Sequence, residues 1–172
     1  MVTDRVPSLF VLISLLVIAV VIDLRSNRVP NLLVLVGLAL GLTSQLFFNG
    51  WVGLGHGLLG SLIGFSIFLL MYAVGGMAAG DVKLMAMVGV FLTPSQALGA
   101  TAASLLAGSL CGLVLVCWHG ELWLTLKRYF LMFVANSYLA PEQGEVAGKR
   151  FPYTIAILLG TLGSMLWFEI AR

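Results

Sequence analysis

Charge is what this sequence has least of. Nine Lys and Arg and seven Asp and Glu make up 9% of its 172 residues, where an ordinary soluble domain carries about 25%. Sixteen charges cannot cover the surface of a chain this size, and a mean hydropathy of +1.09 excludes a water-soluble globule. Cysteine is scarce too. Cys111 and Cys117 share one apolar run with no CxxC and no histidine at ligand spacing, which excludes a thiolate metal site. Both cysteines read as small apolar core residues. His56 and His119 stand alone near expected membrane edges and read as interfacial or packing residues. No metal, cofactor or nucleic-acid partner is expected, and the net charge of +2 says little about partners.

No cleavable leader is expected either. The first apolar run, Leu9 to Ile22, follows Asp4 and Arg5, so its flank has no net positive charge, and no A-x-A site follows it. It reads as a retained first membrane helix.

What the chain does have is apolar runs and glycine. Crossing a bilayer takes about 20 apolar residues, and six runs qualify: roughly 6–23, 31–48, 54–75, 81–93, 97–118 and 152–170. The expected fold is all-α: one polytopic membrane domain over residues 1–172, with about six transmembrane helices plus a cytoplasmic amphipathic helix. That last helix is assigned to Glu121–Leu139, where Lys127 and Arg128 would be costly at mid-bilayer but suit a lipid headgroup surface. "APEQGEVAGKR" then reads as a polar loop. The spacings Gly37/Gly41, Gly60/Gly64 and Gly108/Gly112 suggest close helix contacts.

Orientation follows from Lys and Arg. With six spans and an outside N-terminus, the inside segments hold seven (Arg25, Arg28, Lys83, Lys127, Arg128, Lys149, Arg150) and the outside two (Arg5, Arg172). Inside positive charge favours this topology. The fourth run is short. Twelve residues from Asp81 to Leu92 rise only about 18 Å against a core of about 30 Å. Either the helix extends at its ends or Asp81 is recessed into the bundle.

Two acids stand apart from the rest. Asp23 ends the first run, Asp81 opens the fourth, and the topology puts both on the cytoplasmic side. Two close carboxylates cannot both ionise cheaply, so one holds a proton. The ionised partner can deprotonate a water while the other donates to the carbonyl under attack. From the residues alone two other readings stand beside this one. Asp23 and Asp81 can be interfacial caps paired with Arg25 and Lys83, or relays in a small proton-coupled transporter.

Three stretches then resemble one family. "GGMAAGDVKLMAMVG" is similar to the G-x-G-D-x-K-L signature of type IV prepilin peptidases, membrane aspartic proteases. "IDLRSNRVPN" resembles that family's first-aspartate segment, D-x-x-x-x-x-[IVL]-P-[ND]. "GKRFPYTIAILLG" (148–160) resembles its last motif, a basic loop leading through a Pro-aromatic pair into the final helix. The resemblance implies that Asp23 and Asp81 are the catalytic pair and that Gly76, Ala78, Ala79 and Gly80 form a flexible motif loop. Lys83, Arg25, Arg28 and Asn31 would then contact substrate, balance charge, or simply orient the chain. It implies a multi-pass protein of the inner or plasma membrane that cleaves the leader of a prepilin or pseudopilin at the cytoplasmic face. The substrate's apolar helix would stay in the bilayer.

The sequence departs from the family pattern in two places. Ala78 stands where the signature has its first glycine, and alanine lacks glycine's access to positive φ. The long bacterial forms also carry a four-cysteine region associated with N-methylation. This chain opens directly at its first helix, which resembles the short forms serving tight-adherence (Flp-type) pili or the archaeal preflagellin peptidases. The expected activity is peptidase without methyltransferase. A non-catalytic membrane component or small transporter of the same architecture is the alternative.

Overall fold

The computed structural model of the chain describes residues 6–118, 120, 123, 127 and 153–170. Five α-helices account for nearly all of them: α1 (Val6–Ser26), α2 (Asn31–Ala73), α3 (Ala79–Val90), α4 (Pro94–Trp118) and α5 (Tyr153–Ile170). The described residues contain no strand. The chain divides into two units, Met1–Ala107 with Pro152–Arg172, and Gly108–Phe151.

α1, α2, α4 and α5 are long and apolar enough to cross a membrane, and α3 is not. Their outward faces carry large apolar side chains, including Phe10, Leu32, Phe47, Trp51, Leu106 and Trp167. A soluble monomer rarely exposes apolar surface on this scale. The chain is a membrane protein.

The second and third expected runs form one element with a reversal inside it. Gly50 adopts φ 61° and ψ −153° within α2, a region essentially restricted to glycine. Contacts on either side give the direction of each leg. In the first, Gly37 meets Met87 and Gly41 meets Val90 and Phe91. In the second, Gly57 meets Val90 and Gly64 meets Met85. The first leg therefore runs parallel to α3 and the second antiparallel, so α2 is a helical hairpin turned at Gly50.

α3 lies between those legs. From Asp81 to Leu92 every residue except Lys83 is buried, as expected of a helix that is apolar on all sides. Lipid tails are as apolar as leucine, so burial alone does not draw membrane helices together, and close backbone packing must. Glycine permits it. Gly60 and Gly89 face each other backbone to backbone, and a methyl group on Gly64 would sit 2.8 Å from the Met85 carbonyl oxygen. At the far end of α3, buried Gln45 donates to the Val90 carbonyl (3.1 Å) and Asn49 steadies Gln45 (3.0 Å). That bond satisfies one of the carbonyls a helix C-terminus leaves open.

The "TPSQ" separator is the cap of α4. Pro94 takes the first helical position, and the Gln96 side chain accepts from the Thr93 amide (3.2 Å) and hydroxyl (2.9 Å). α5 packs on α4 where Gly160 lies against Ser104. In the second unit Cys111 is part-exposed and Cys117 exposed, so neither is the core residue expected. A methyl group on Gly112 would meet nothing within 4 Å, so of the three small-residue pairs only the two on α2 pack tightly throughout. The amphipathic segment 121–139 and the polar loop after it lie outside the described residues, except Trp123 and Lys127, both exposed.

Candidate active site

The approach to Asp81 begins with the way α2 ends. Gly75 takes φ 77°. Its amide bonds the Tyr72 carbonyl, and the Gly76 amide bonds that of Met71, both at 2.9 Å. This pair of bonds is the Schellman stop, which needs a left-handed residue where Gly75 stands. Met77 then packs into the core, and α3 starts. Ala78 is its N-cap at φ −86° and ψ 153°, extended backbone open to any residue. The departure from glycine at this position therefore costs no strain.

Asp81 is the third residue of α3 and caps it. Its Oδ2 accepts the Ala78 amide at 3.2 Å, and its own amide donates to the Ala78 carbonyl at 3.1 Å. The helix dipole favours an anion here. The motif segment is thus less of a loop than expected. Gly76 closes the α2 stop, Ala78 is a cap, and Ala79 and Gly80 belong to the first turn of α3. A methyl group on Gly80 would sit 3.3 Å from Val29 Cβ, so Gly80 lets the α1–α2 connection lie against that turn.

Asp23 sits in the last full turn of α1. Asn27 ends the helix in the left-handed conformation (φ 50°), its amide bonding the Asp23 carbonyl at 2.7 Å; asparagine tolerates this geometry better than other non-glycine residues. Val29 packs into the core and Pro30 is the extended N-cap residue of α2. One residue on, Asn31 Oδ1 accepts from Lys83 Nζ at 2.9 Å. The two motif segments are therefore joined twice, by Gly80 against Val29 and by Lys83 to Asn31.

Asp23 and Asp81 are 8% and 6% exposed. They stand on different helices whose ends are held together by the Gly80–Val29 contact and the Lys83–Asn31 bond. Asp81 does cap its helix, but among the described residues neither aspartate is paired with Arg25 or Lys83 as the capping alternative expects. Among the described residues Asp23 is bonded by the Thr154 hydroxyl (2.8 Å) and Asp81 by Ala78, while Lys83 is engaged with Asn31. Arg25 and Arg28 are exposed.

Thr154 was not among the residues singled out from the sequence. It is wholly buried in the first turn of α5, and its oxygen points across the bundle to α1. Its neighbour Tyr153 anchors that turn, packing edge-on to Phe68 with ring centroids 5.9 Å apart and donating to the Ser104 carbonyl at 3.3 Å. The only signal in the sequence was its place directly after the Pro-aromatic pair.

One end of this unit therefore gathers two buried carboxylates from two helices, one of them bonded by a hydroxyl from a third. A site of this kind can hold a proton and activate a water. No curated protein and no solved structure matches the chain. Residues 10–117 match the model of the type IV leader peptidase family. That span includes both aspartates, all of α3 and α1 from Phe10 on, and the chain belongs to the type IV leader peptidase family.

Proposed function

We propose that this membrane peptidase is an aspartic endopeptidase using Asp23 and Asp81 to remove the leader of type IV (Flp-type) prepilins or pseudopilins at the cytoplasmic face of the inner or plasma membrane. The observation that carries the reading is the pair itself: two carboxylates from α1 and α3, both buried, on helix ends joined by the Gly80–Val29 contact and the Lys83–Asn31 bond. Isolated charges in such surroundings cost several kcal/mol. A pair that shares one proton avoids part of that cost and gains a chemistry.

In that chemistry the ionised carboxylate takes a proton from a water whose oxygen attacks the scissile carbonyl. The protonated partner gives its proton to the carbonyl oxygen, so a neutral gem-diol forms. As the diol collapses, the C–N bond breaks and the amine leaves with a proton from the carboxylate that received one. The other carboxylate recovers a proton from the diol hydroxyl. The pair ends as it began, with one shared proton.

The cytoplasmic placement rests on the seven-to-two distribution of Lys and Arg, which puts the aspartate end of the bundle inside. We take residues 1–172 as one membrane domain crossing six times: α1, the two legs of α2, α4 and α5 are the crossings in contact with lipid, and α3, too short to span by itself, crosses enclosed between the legs of α2. The expectation that residues 121–139 lie along the cytoplasmic surface rests on the sequence, through Lys127 and Arg128. The substrate presents its leader to this face while its apolar helix stays in lipid. Methyl transfer from S-adenosylmethionine by the pure protein is not expected.

The test is a cleavage assay on a prepilin with wild type, Asp23→Asn and Asp81→Asn, after each is shown to insert and fold alike. Wild type cleaves and both variants lose activity by at least about a hundredfold, the scale of a general acid or base. Full cleavage by either variant removes that aspartate from the mechanism.

A further inference from the structure

We propose that Thr154 is a positioning residue for the two-aspartate site, its hydroxyl holding the Asp23 carboxylate in the orientation from which it acts. The inference rests on the reading of Asp23 as catalytic. Asp23 and Asp81 are supported unequally by their own helices. Asp81 is steadied locally, its Oδ2 accepting the Ala78 amide three residues before it. Asp23, at the opposite end of its helix, has no free amide of α1 to bond, because helix C-termini leave carbonyls open and not N–H groups. Its support has to come from another element, and the Thr154 hydroxyl at 2.8 Å supplies it.

Three features make Thr154 suited to this. First, it is the second residue of α5, so no carbonyl of its own helix lies four residues before it to capture the hydroxyl. Thr101 and Ser104, deeper in α4, do bond back to Ala97 and Ala100. Second, Thr154 is wholly buried, so water does not compete for the bond. Third, Tyr153 fixes that turn to Phe68 and to the Ser104 carbonyl, so the hydroxyl is delivered from a rigid base. Among the described residues the Asp23 carboxylate is bonded by Thr154 from α5 and its backbone carbonyl by Asn27. A hydroxyl is the appropriate donor: it bonds a carboxylate without adding a positive charge that would lock the pair in one protonation state.

The experiment measures kcat and KM on a synthetic prepilin peptide spanning the leader junction, in detergent, for wild type and for Thr154→Ser, Thr154→Val, Thr154→Ala and Asp23→Asn. Serine keeps the hydroxyl, valine keeps the shape, and alanine keeps neither. Thr154→Ser should hold kcat within about twofold of wild type. Thr154→Val and Thr154→Ala should lose about tenfold or more in kcat with KM unchanged, the cost of a misaligned reacting group. Thermal midpoints recorded alongside separate folding from chemistry. If valine proves unstable, the serine–alanine comparison decides alone. Wild-type kcat in a folded Thr154→Val or Thr154→Ala overturns the proposal, as does a loss in Thr154→Ser as large as in Thr154→Ala, since packing of the methyl group would then be responsible. Wild-type cleavage by Asp23→Asn overturns the catalytic reading itself, a failure distinct from the loss of Thr154's part alone.

Discussion

Lys83 illustrates how a residue's meaning changes once its partner is known. As a charge two positions after an aspartate, it invites a role in balancing that aspartate or gripping substrate. Its ammonium instead donates to Asn31, across the gap between the two motif segments. The pair ties the start of α3 to the start of α2, and through the short α1–α2 connection to Asp23. Lys83→Met and Asn31→Ala should each lower peptide kcat modestly, and the double variant no further than the worse single one. The coupling should be about 0.5–1.5 kcal/mol, that of one hydrogen bond. Strict additivity in that double-mutant cycle would show that the two act separately. Ala78 makes the complementary point. A substitution that is awkward on paper is harmless, because the backbone there is extended and the left-handed position lies three residues earlier, at Gly75.

At the scale of elements, glycine determines how closely the helices approach. Gly60→Ala should destabilise the protein by about 1–3 kcal/mol, the usual cost of overpacking, because the new methyl group would collide with the Gly89 backbone. Gly50→Ala should cost a similar amount through backbone strain alone, since nothing lies within 4 Å of its side-chain position. Gly112→Ala also points into open space, but at ordinary helical angles, and should be neutral. Thermal unfolding in detergent ranks the three. Equal midpoints for Gly60→Ala and Gly112→Ala would mean the α2–α3 contact is looser than these distances say. A sequence pattern cannot make this distinction, because GxxxG spacing is the same whether or not a helix is opposite.

At the scale of the whole molecule, the hairpin in α2 sets which ends of the helices share a side of the membrane. Reversal at Gly50 puts the Gln45–Val90 end opposite the Asp23–Asp81 end. With Cys111 and Cys117 replaced by alanine, single cysteines at Arg28 and Trp51 should be labelled by an impermeant maleimide from opposite faces. Arg28→Cys should react from the cytoplasm. Labelling of both from one face would mean that α2 does not complete two crossings.

Much of this was decided by composition and local pattern. Scarce charge and long apolar runs are properties that every residue contributes to, so the all-helical membrane class needed no contacts to be read. The two aspartates were legible for a related reason: in a chain this apolar, a buried charge is costly enough that its presence must be accounted for. The motif spacing around Asp23 and Asp81 is likewise a local property, and it leads to the family that residues 10–117 match. The twelve-residue length of α3 was visible too, but not that α2 would enclose it on both sides. Only the tertiary structure paired Lys83 with Asn31, set Gly60 against Gly89 and turned α2 at Gly50. It alone brought the unremarked hydroxyl of Thr154 onto Asp23, 131 residues away in the chain. Such pairings depend on which helix faces which. That is settled by van der Waals fit and hydrogen bonds between distant segments, to which the periodicity of a single helix is blind.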